Sequence, residues 1–372
     1  MTSILHLPKW FPNRFDEQNG IFVKKQIESV GKPFQHIVLT VYKDEDISRF
    51  VERFEHTDNN ILFVDICYKP KQWNVLNGVL HLTLLFWFGL KYAKNCQIIH
   101  SHVFGRNALI GLFISKLKGL VNFHSEHWSL LLRPELLKQK SKLYQKLMAF
   151  LFRNVELLLP VSHALEKAII NIEPKVKTQI VGNVIELNTF KNSSKNEKFT
   201  FVVVADLRDD IKNISGIIQA FLQLEANGIS NIQLDIVGHG PDYDMLFERG
   251  SESNHIHFLG RQTNKEVYQV MNTSHCLIMN SKVETFGMVV LEAFSCGLPV
   301  ICAKNGVTEL FVNHNTGIIV DSQNNLEIAM QNMMTSYSNF QTESIIQASK
   351  SYSKQNIGEA LSSLYKQSFY DH

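Results

Sequence analysis

The 372 residues carry 37 lysines and arginines against 35 aspartates and glutamates, and 45% are hydrophobic. So even a balance gives no field that would hold nucleic acid or an anionic membrane by global charge, and any phosphate site must be local. A soluble chain of this length favours two domains, each able to bury a core without disulfide or metal staples. Cys67, Cys96, Cys276, Cys296 and Cys302 are odd in number and lack zinc-ligand spacing, which reads as buried thiols in a reducing compartment. The opening MTSILHLPKWFPNRF puts its basic residues after its apolar run, the reverse of a signal peptide, so a cytoplasmic location is expected.

In chain order, β-branched runs predict strands at Ile4–Leu7, Gln35–Tyr42, Ile61–Cys67, Cys96–His100, Gly119–Phe123 and Val155–Val161. Between them, helices are predicted at Gly20–Ser29, Trp73–Lys94, Arg106–Lys116 and Ser141–Phe152, and a further strand at Lys177–Val181. The alternation implies a parallel sheet wound on both faces. Val79–Leu90 is the most hydrophobic window, yet a membrane span needs ~20 apolar residues, so it is expected to be a buried helix of a large α/β domain. The polar run Lys191–Lys198 reads as an interdomain linker. Beyond it the pattern restarts: strands Phe199–Ala205, Ile232–Val237, His255–Leu259, Cys276–Met279, Pro299–Ala303 and Thr316–Val320, with helices Ile214–Ala226, Asp242–Glu248 and Lys265–Asn272. An amphipathic terminal helix is expected over Asn356–Phe369.

The fold class expected is therefore α/β, two Rossmann-like doubly wound domains facing across a cleft. The first spans 1–190, with 356–372 packing back on it, and the second spans 197–355. Open α/β sheets bind ligands beyond the carboxyl ends of their strands.

At one such end the strand Cys276–Met279 is followed by NSKVETFGMVVLEAFSCGLP, with Glu284 in the loop and Glu292 in a helix running from about Phe286 to Ser295. A carboxylate beside a core is costly unless paired, so these two glutamates are either half exposed or held for a partner. The backbone N–H groups of Phe286, Gly287, Met288 and Val289 would open that helix as an anion site suited to a diphosphate. Glu292 is placed to accept from a ribose diol and Glu284 to reach sugar hydroxyls, with Thr285 beside them. The plainer alternative is an acidic residue complementing the helix dipole and a partly exposed helical glutamate.

The segment resembles the E-x7-E signature of retaining glycosyltransferases of family 4, which have the two-domain GT-B architecture. Phe201–Phe221, Gln233–Pro241 and Asn19–Phe22 resemble, in matching order, the family's phosphate-contacting strand and loop, its Gly-rich turn and its first-domain glycine loop. The resemblance implies that Lys212 binds the donor diphosphate, that Arg208 assists through a shifted loop or pairs on the surface with Asp209 or Asp210, and that Gly238 makes a turn beneath the nucleotide. It also implies that Gly20 brings a backbone N–H to the phosphate and that His127, in FHSEHWS, hydrogen-bonds the donor sugar.

On that resemblance the catalytic set is His127, Glu284 and Lys212. His124 is assigned to its strand, Glu126 orients His127 or binds acceptor, and His102 faces the acceptor or supports loop packing, as His100 does. Asn183 is expected to position the cleft. Metal binding by His100, His102, His124 and His127 is the rival for those histidines, and the absence of a carboxylate cluster beside them argues for no metal and no cofactor.

The expected activity is retaining transfer of a sugar from a nucleoside-diphosphate sugar to an acceptor hydroxyl of a saccharide or lipid-linked acceptor, in bacterial surface polysaccharide or glycan assembly. Rival readings are a sugar-nucleotide epimerase or hydrolase of the same fold and a non-catalytic nucleotide-sugar-binding partner. The basic, amphipathic Arg133–Arg153 reads first as a solvated face and second as a peripheral contact with the inner membrane surface.

Overall fold

The computed structural model describes residues 2–187, 194–321 and 325–368. The chain divides into two compact units, one made of the chain up to Val184 together with the segment from Lys354 onward, the other running from Ile185 to Ser353.

The first unit holds seven strands, β1 (Thr2–Pro8), β2 (Phe34–Lys43), β3 (Val51–Asp58), β4 (Ile61–Tyr68), β5 (Ile98–His102), β6 (Val121–Glu126) and β7 (Leu157–Pro160), in the order β3-β4-β2-β1-β5-β6-β7. All neighbours are parallel except β3, which pairs antiparallel with β4. Every residue of β5, and β1 from Ile4 onward, is buried, as expected of strands covered on both faces. β3 escapes sequence reading because VERFEHTD is polar and its side chains are mostly exposed, which suits an edge strand that must not recruit another.

The second unit holds β8 (Phe199–Val204), β9 (Ile232–Val237), β10 (Ile256–Gly260), β11 (Cys276–Met279), β12 (Val300–Ala303) and β13 (Gly317–Val320), all parallel, in the order β10-β9-β8-β11-β12-β13. Leaving β3 aside, both sheets follow the doubly wound order in which the first and fourth parallel strands lie side by side. The α/β class with two Rossmann-like units is thus the one found.

Several expectations are corrected. Lys177–Val181 forms no strand; Thr178 makes an isolated bridge to Leu158. Gly119 is not in β6 but caps the preceding helix at φ 65°. β5 ends later than expected, so His102 belongs to the strand. Of the linker Lys191–Lys198, residues 191–193 lie outside the described residues, and the rest is tied to the second unit by Lys195 Nζ donating to the Ser274 carbonyl (2.5 Å) and Asn196 N to that of Thr273 (2.9 Å). The helix Asn74–Ala93, expected to be buried, turns only Asn77, Leu85, Gly89 and Ala93 fully inward. Helices His163–Ile172, Leu326–Ser336 and Thr342–Ser349 were not anticipated.

The terminal helix Lys354–Gln367 completes the first unit by packing on the helix Ile21–Ser29. Gly358 allows that approach, since a Cβ there would stand 2.0 Å from the Ser29 carbonyl oxygen. Its Tyr365 is buried and joins His100 Nδ1 at 2.6 Å.

Candidate functional site

In the second unit, β8 and β11 are neighbours whose chains leave toward opposite sides, the point where such sheets open a crevice at their carboxyl ends. The chain after β8 makes one helical turn, Asp209–Lys212, ended by Asn213 in the left-handed region at φ 51°. Asp209 fixes that turn by accepting from Ser215 N (2.8 Å) and Ser215 Oγ (2.5 Å). The chain after β11 is pinned to the same turn by Lys282 N donating to the Ile211 carbonyl at 2.8 Å. Those two constraints bring Lys212 Nζ to within 2.9 Å of Glu284 Oε2.

Lys212 and Glu284 are mostly buried, their side chains 26% and 15% exposed. A carboxylate so enclosed is costly to leave unpaired, so the lysine stabilises it in the ligand-free site while keeping its remaining N–H donors available. The other Glu284 oxygen accepts from Thr285 N at 3.1 Å. Next in the chain, Gly287 takes φ 79° and starts the helix Met288–Ser295. The N–H groups of a first helical turn have no intrahelical acceptor, so Met288 and Val289 supply donors. A recess lined by Ala205, Lys212, Met279, Asn280, Ser281 and Val289 lies here. Ser281 Oγ and Asn213 Nδ2 are buried without a hydrogen-bond partner among the described residues, an arrangement that a polar ligand would satisfy.

Other expected donor residues stand differently. Arg208 is 57% exposed and pairs at 4.0 Å with Asp206 rather than with the aspartates at 209 and 210. Phe286 does not open the helix, which starts two residues later; its side chain is buried against Phe311 and Tyr352. Gly238 has φ 138°, and a Cβ would fall 1.8 Å from the Ala205 carbonyl oxygen. The loop after β8 packing on it is by itself enough to demand glycine here. Glu292 is half-buried, with its charge bearing on Tyr268, whose hydroxyl donates to the Glu186 carbonyl at 2.8 Å. Sequence reasoning missed Asn213, Asn280 and Ser281, whose signal was position alone: they follow the ends of the two switch-point strands.

In the first unit, Gly20 (φ 66°) opens the helix Ile21–Ser29 and lies against Trp10, whose carbonyl oxygen would be 2.3 Å from a Cβ. His127 is buried just past β6, its ring 4.7 Å from that of Phe22. Burial lowers its pKa to about 4; Glu126 and Asn183 oppose this, and His124 adds to it. Neither ring nitrogen has a partner in hydrogen-bonding geometry among the described residues, so the imidazole is available to a ligand.

Glu126 is not an acceptor-facing group. It is fully buried and accepts from the N–H groups of Phe104 (3.0 Å), His127 (2.9 Å) and Trp128 (3.0 Å), with His124 Nε2 at 3.3 Å. Burial opposes its ionisation, but these bonds outweigh that and hold its pKa below the usual range. It is a positioning residue for the loop carrying His127. Lys9, unflagged by the sequence, follows β1 with its ammonium 3.5 Å from the Trp128 ring centre and donating to the Phe104 carbonyl. Burial lowers its pKa to about 8.

His102 does not face out of its strand either. It belongs to a buried chain in which His36 Nε2 meets the Val30 carbonyl (3.1 Å), His36 Nδ1 meets His6 Nε2 (2.9 Å), and His6 Nδ1 meets His102 Nε2 (3.1 Å). The carbonyl accepts only, so neutral rings must each donate from Nε2 along the chain, leaving His102 Nδ1 a buried, unpartnered acceptor. Burial lowers the pKa of His6, His100 and His102 and takes that of His36 to about 4, in keeping with neutral rings. His6, His100 and His102 each bring one ring nitrogen within a mutual 4.8 Å, a spacing compatible with a metal ion. Both His6 nitrogens are already engaged, so a metal would have to break the chain.

Two doubly wound units, one carrying an ion pair and a helix start at its switch point, define a two-unit Rossmann-like α/β protein. Residues 184–339 match the model of the family glycosyl transferases group 1. The alpha-monoglucosyldiacylglycerol synthase of Acholeplasma laidlawii is 27% identical over 158 residues, 42% of this chain and 39% of that protein. The phosphatidylinositol N-acetylglucosaminyltransferase gpi3 subunit of Schizosaccharomyces pombe is 28% identical over 204 residues, 52% of this chain and 44% of that protein. The matched part thus spans less than half the length of these relatives. Among solved structures, Anabaena HepE in complex with UDP has the same fold, with a TM-score of 0.75 at 17% identity over 99% of this chain and 100% of that one.

Proposed function

We propose that this chain is a retaining glycosyltransferase that moves a sugar from a nucleoside-diphosphate sugar to an acceptor hydroxyl. The observation that carries the reading is the Lys212–Glu284 pair, 2.9 Å apart beside the helix start at Gly287. In the loaded site the diphosphate takes the Lys212 ammonium and the N–H groups of Met288 and Val289, where negative charge grows as the bond to the sugar breaks. Glu284, released from sole dependence on Lys212, accepts from hydroxyls of the sugar, and Glu292 accepts from the ribose. These groups supply the electrostatics without a metal, and we assign none to the reaction.

The acceptor is a saccharide or lipid-linked hydroxyl, and the setting is bacterial surface polysaccharide or glycan assembly; the glycosyl-lipid names of the matched relatives support that direction. A cytoplasmic location agrees with five cysteines of which none is in a disulfide. The test is turnover of UDP- and GDP-sugars with and without a saccharide or lipid acceptor fraction, with the product's anomeric configuration read by NMR. Acceptor-dependent transfer with retention is expected. Equal consumption of donor without acceptor would make the chain a hydrolase or epimerase instead.

A further inference from the structure

The outward side of the helix Asn74–Ala93 belongs to no site described above. Opposite its sheet-facing residues, Trp73 and Trp87 stand 71% and 65% exposed, with Leu76 between them. The helix Arg106–Lys118 packs alongside it and presents Phe113, 58% exposed, whose ring lies 5.8 Å from that of Phe86. The helix Lys142–Asn154 packs alongside that one in turn and exposes Leu143 and Phe150. Scattered apolar residues are ordinary on a soluble protein, but a stripe shared by three adjacent helices marks an interaction surface.

Charge says what covers it. None of the three helices contains an aspartate or glutamate, while Lys91, Lys116, Lys118, Lys142 and Lys146 are exposed on them. A partner must therefore be apolar and anionic together. A second copy of the same face would oppose lysine to lysine. An anionic bilayer meets both requirements, because tryptophans settle at headgroup depth while lysine stems extend to the phosphates. The helix Asn74–Ala93 is long and apolar enough to cross a membrane, but its inner side packs on β2 and contributes Leu85 and Ala93 to the core of the first unit, which fits lying on a bilayer rather than spanning it.

We propose that this three-helix face docks the protein on the surface of an anionic lipid bilayer. The inference is independent of the sugar-transfer reading. It is tested by floating the full chain with vesicles of phosphatidylcholine alone and of phosphatidylcholine mixed with phosphatidylglycerol, alongside Trp87→Ser/Phe113→Ser and Lys116→Gln/Lys142→Gln/Lys146→Gln variants. Circular dichroism checks that each variant folds. Binding to the anionic vesicles only is expected, with a blue shift of tryptophan fluorescence and at least about a tenfold loss of partitioning in either variant. No flotation, or flotation equal in wild type and both variants, would overturn it. So would an oligomer in solution that Trp87→Ser/Phe113→Ser dissolves, which would make the face a contact between copies.

Discussion

Lys212 Nζ donates to Glu284 Oε2 at 2.9 Å, joining two loops 72 residues apart in sequence at the point where β8 and β11 separate. Neither side chain meets the other by chance of sequence, because the backbone bond from Lys282 N to the Ile211 carbonyl closes the two loops together. On the proposed reading the pair is a place-holder, each charge satisfying the other until a diphosphate and a sugar divide them.

Replacing Lys212 by alanine removes a cation from the developing diphosphate and strands Glu284 in a mostly buried site. We predict a loss of about 2–4 kcal/mol in kcat/KM. Glu284→Gln keeps the shape but not the charge and should reduce turnover more than nucleotide affinity. Steady-state kinetics of both variants separate the two effects.

The glycines differ in a measurable way. Gly238→Ala drives a Cβ to 1.8 Å from the Ala205 carbonyl oxygen at φ 138°, so it should cost about 2 kcal/mol or more and displace the loop leading to Lys212. Gly287→Ala meets nothing nearer than 3.8 Å and bears only its positive φ, about 1–2 kcal/mol. Urea denaturation should rank Gly238→Ala below Gly287→Ala in stability; the reverse order would contradict the packing described.

Acid should destabilise the first unit. His6, His36, His100, His102 and His127 all have folded pKa values lowered first by burial, with His36 and His127 at about 4. Unfolded histidine titrates near ~6.5, so between that pH and about 4 the unfolded chain binds more protons and stability falls with pH. The stabilisation is fully present above the unfolded value. Each such histidine contributes up to about 1.4 kcal/mol per pH unit inside the window. Calorimetry should show Tm dropping from about pH 7 to about pH 5, less steeply in His36→Gln; a flat profile would be inconsistent with neutral buried rings.

Lys9 should stand apart from surface lysines. With its pKa lowered to about 8 by burial, its amine becomes substantially neutral at mildly alkaline pH. Amine acylation followed by peptide mass spectrometry should give Lys9 a pH midpoint about two units below that of an ordinary exposed lysine. A midpoint shared with them would show the ammonium to be solvated.

The sheets were legible in the sequence because strands buried on both faces are written as apolar runs, and Ile232–Val237 and Cys276–Met279 fall where those runs do. β3 was not, because an edge strand needs only backbone pairing and can be polar. Glu284 and Gly287 stood out through their spacing around a helix start and Lys212 through a family resemblance; the structure brings Lys212 and Glu284 together. The histidines were misread in part, since sequence shows that His102 ends an apolar run but not that β5 extends to include it and aims it at His6. Glu126 looked like a ligand group because sequence does not show that its carboxylate folds back on its own loop, accepting from His127 N and Trp128 N, and reaches the distant Phe104 N. The outward tryptophans were hidden by averaging, because a helix with one core-facing edge and an apolar outer stripe has the same composition as a buried one.

The central claim is that the β8–β11 switch point is a nucleoside-diphosphate site held by Lys212. Isothermal titration of UDP, GDP and ADP into the wild type and Lys212→Ala tests it most directly. One nucleotide should bind the wild type, with affinity falling at least about tenfold in the variant. Binding of none of the three, or equal binding by both proteins, would contradict it.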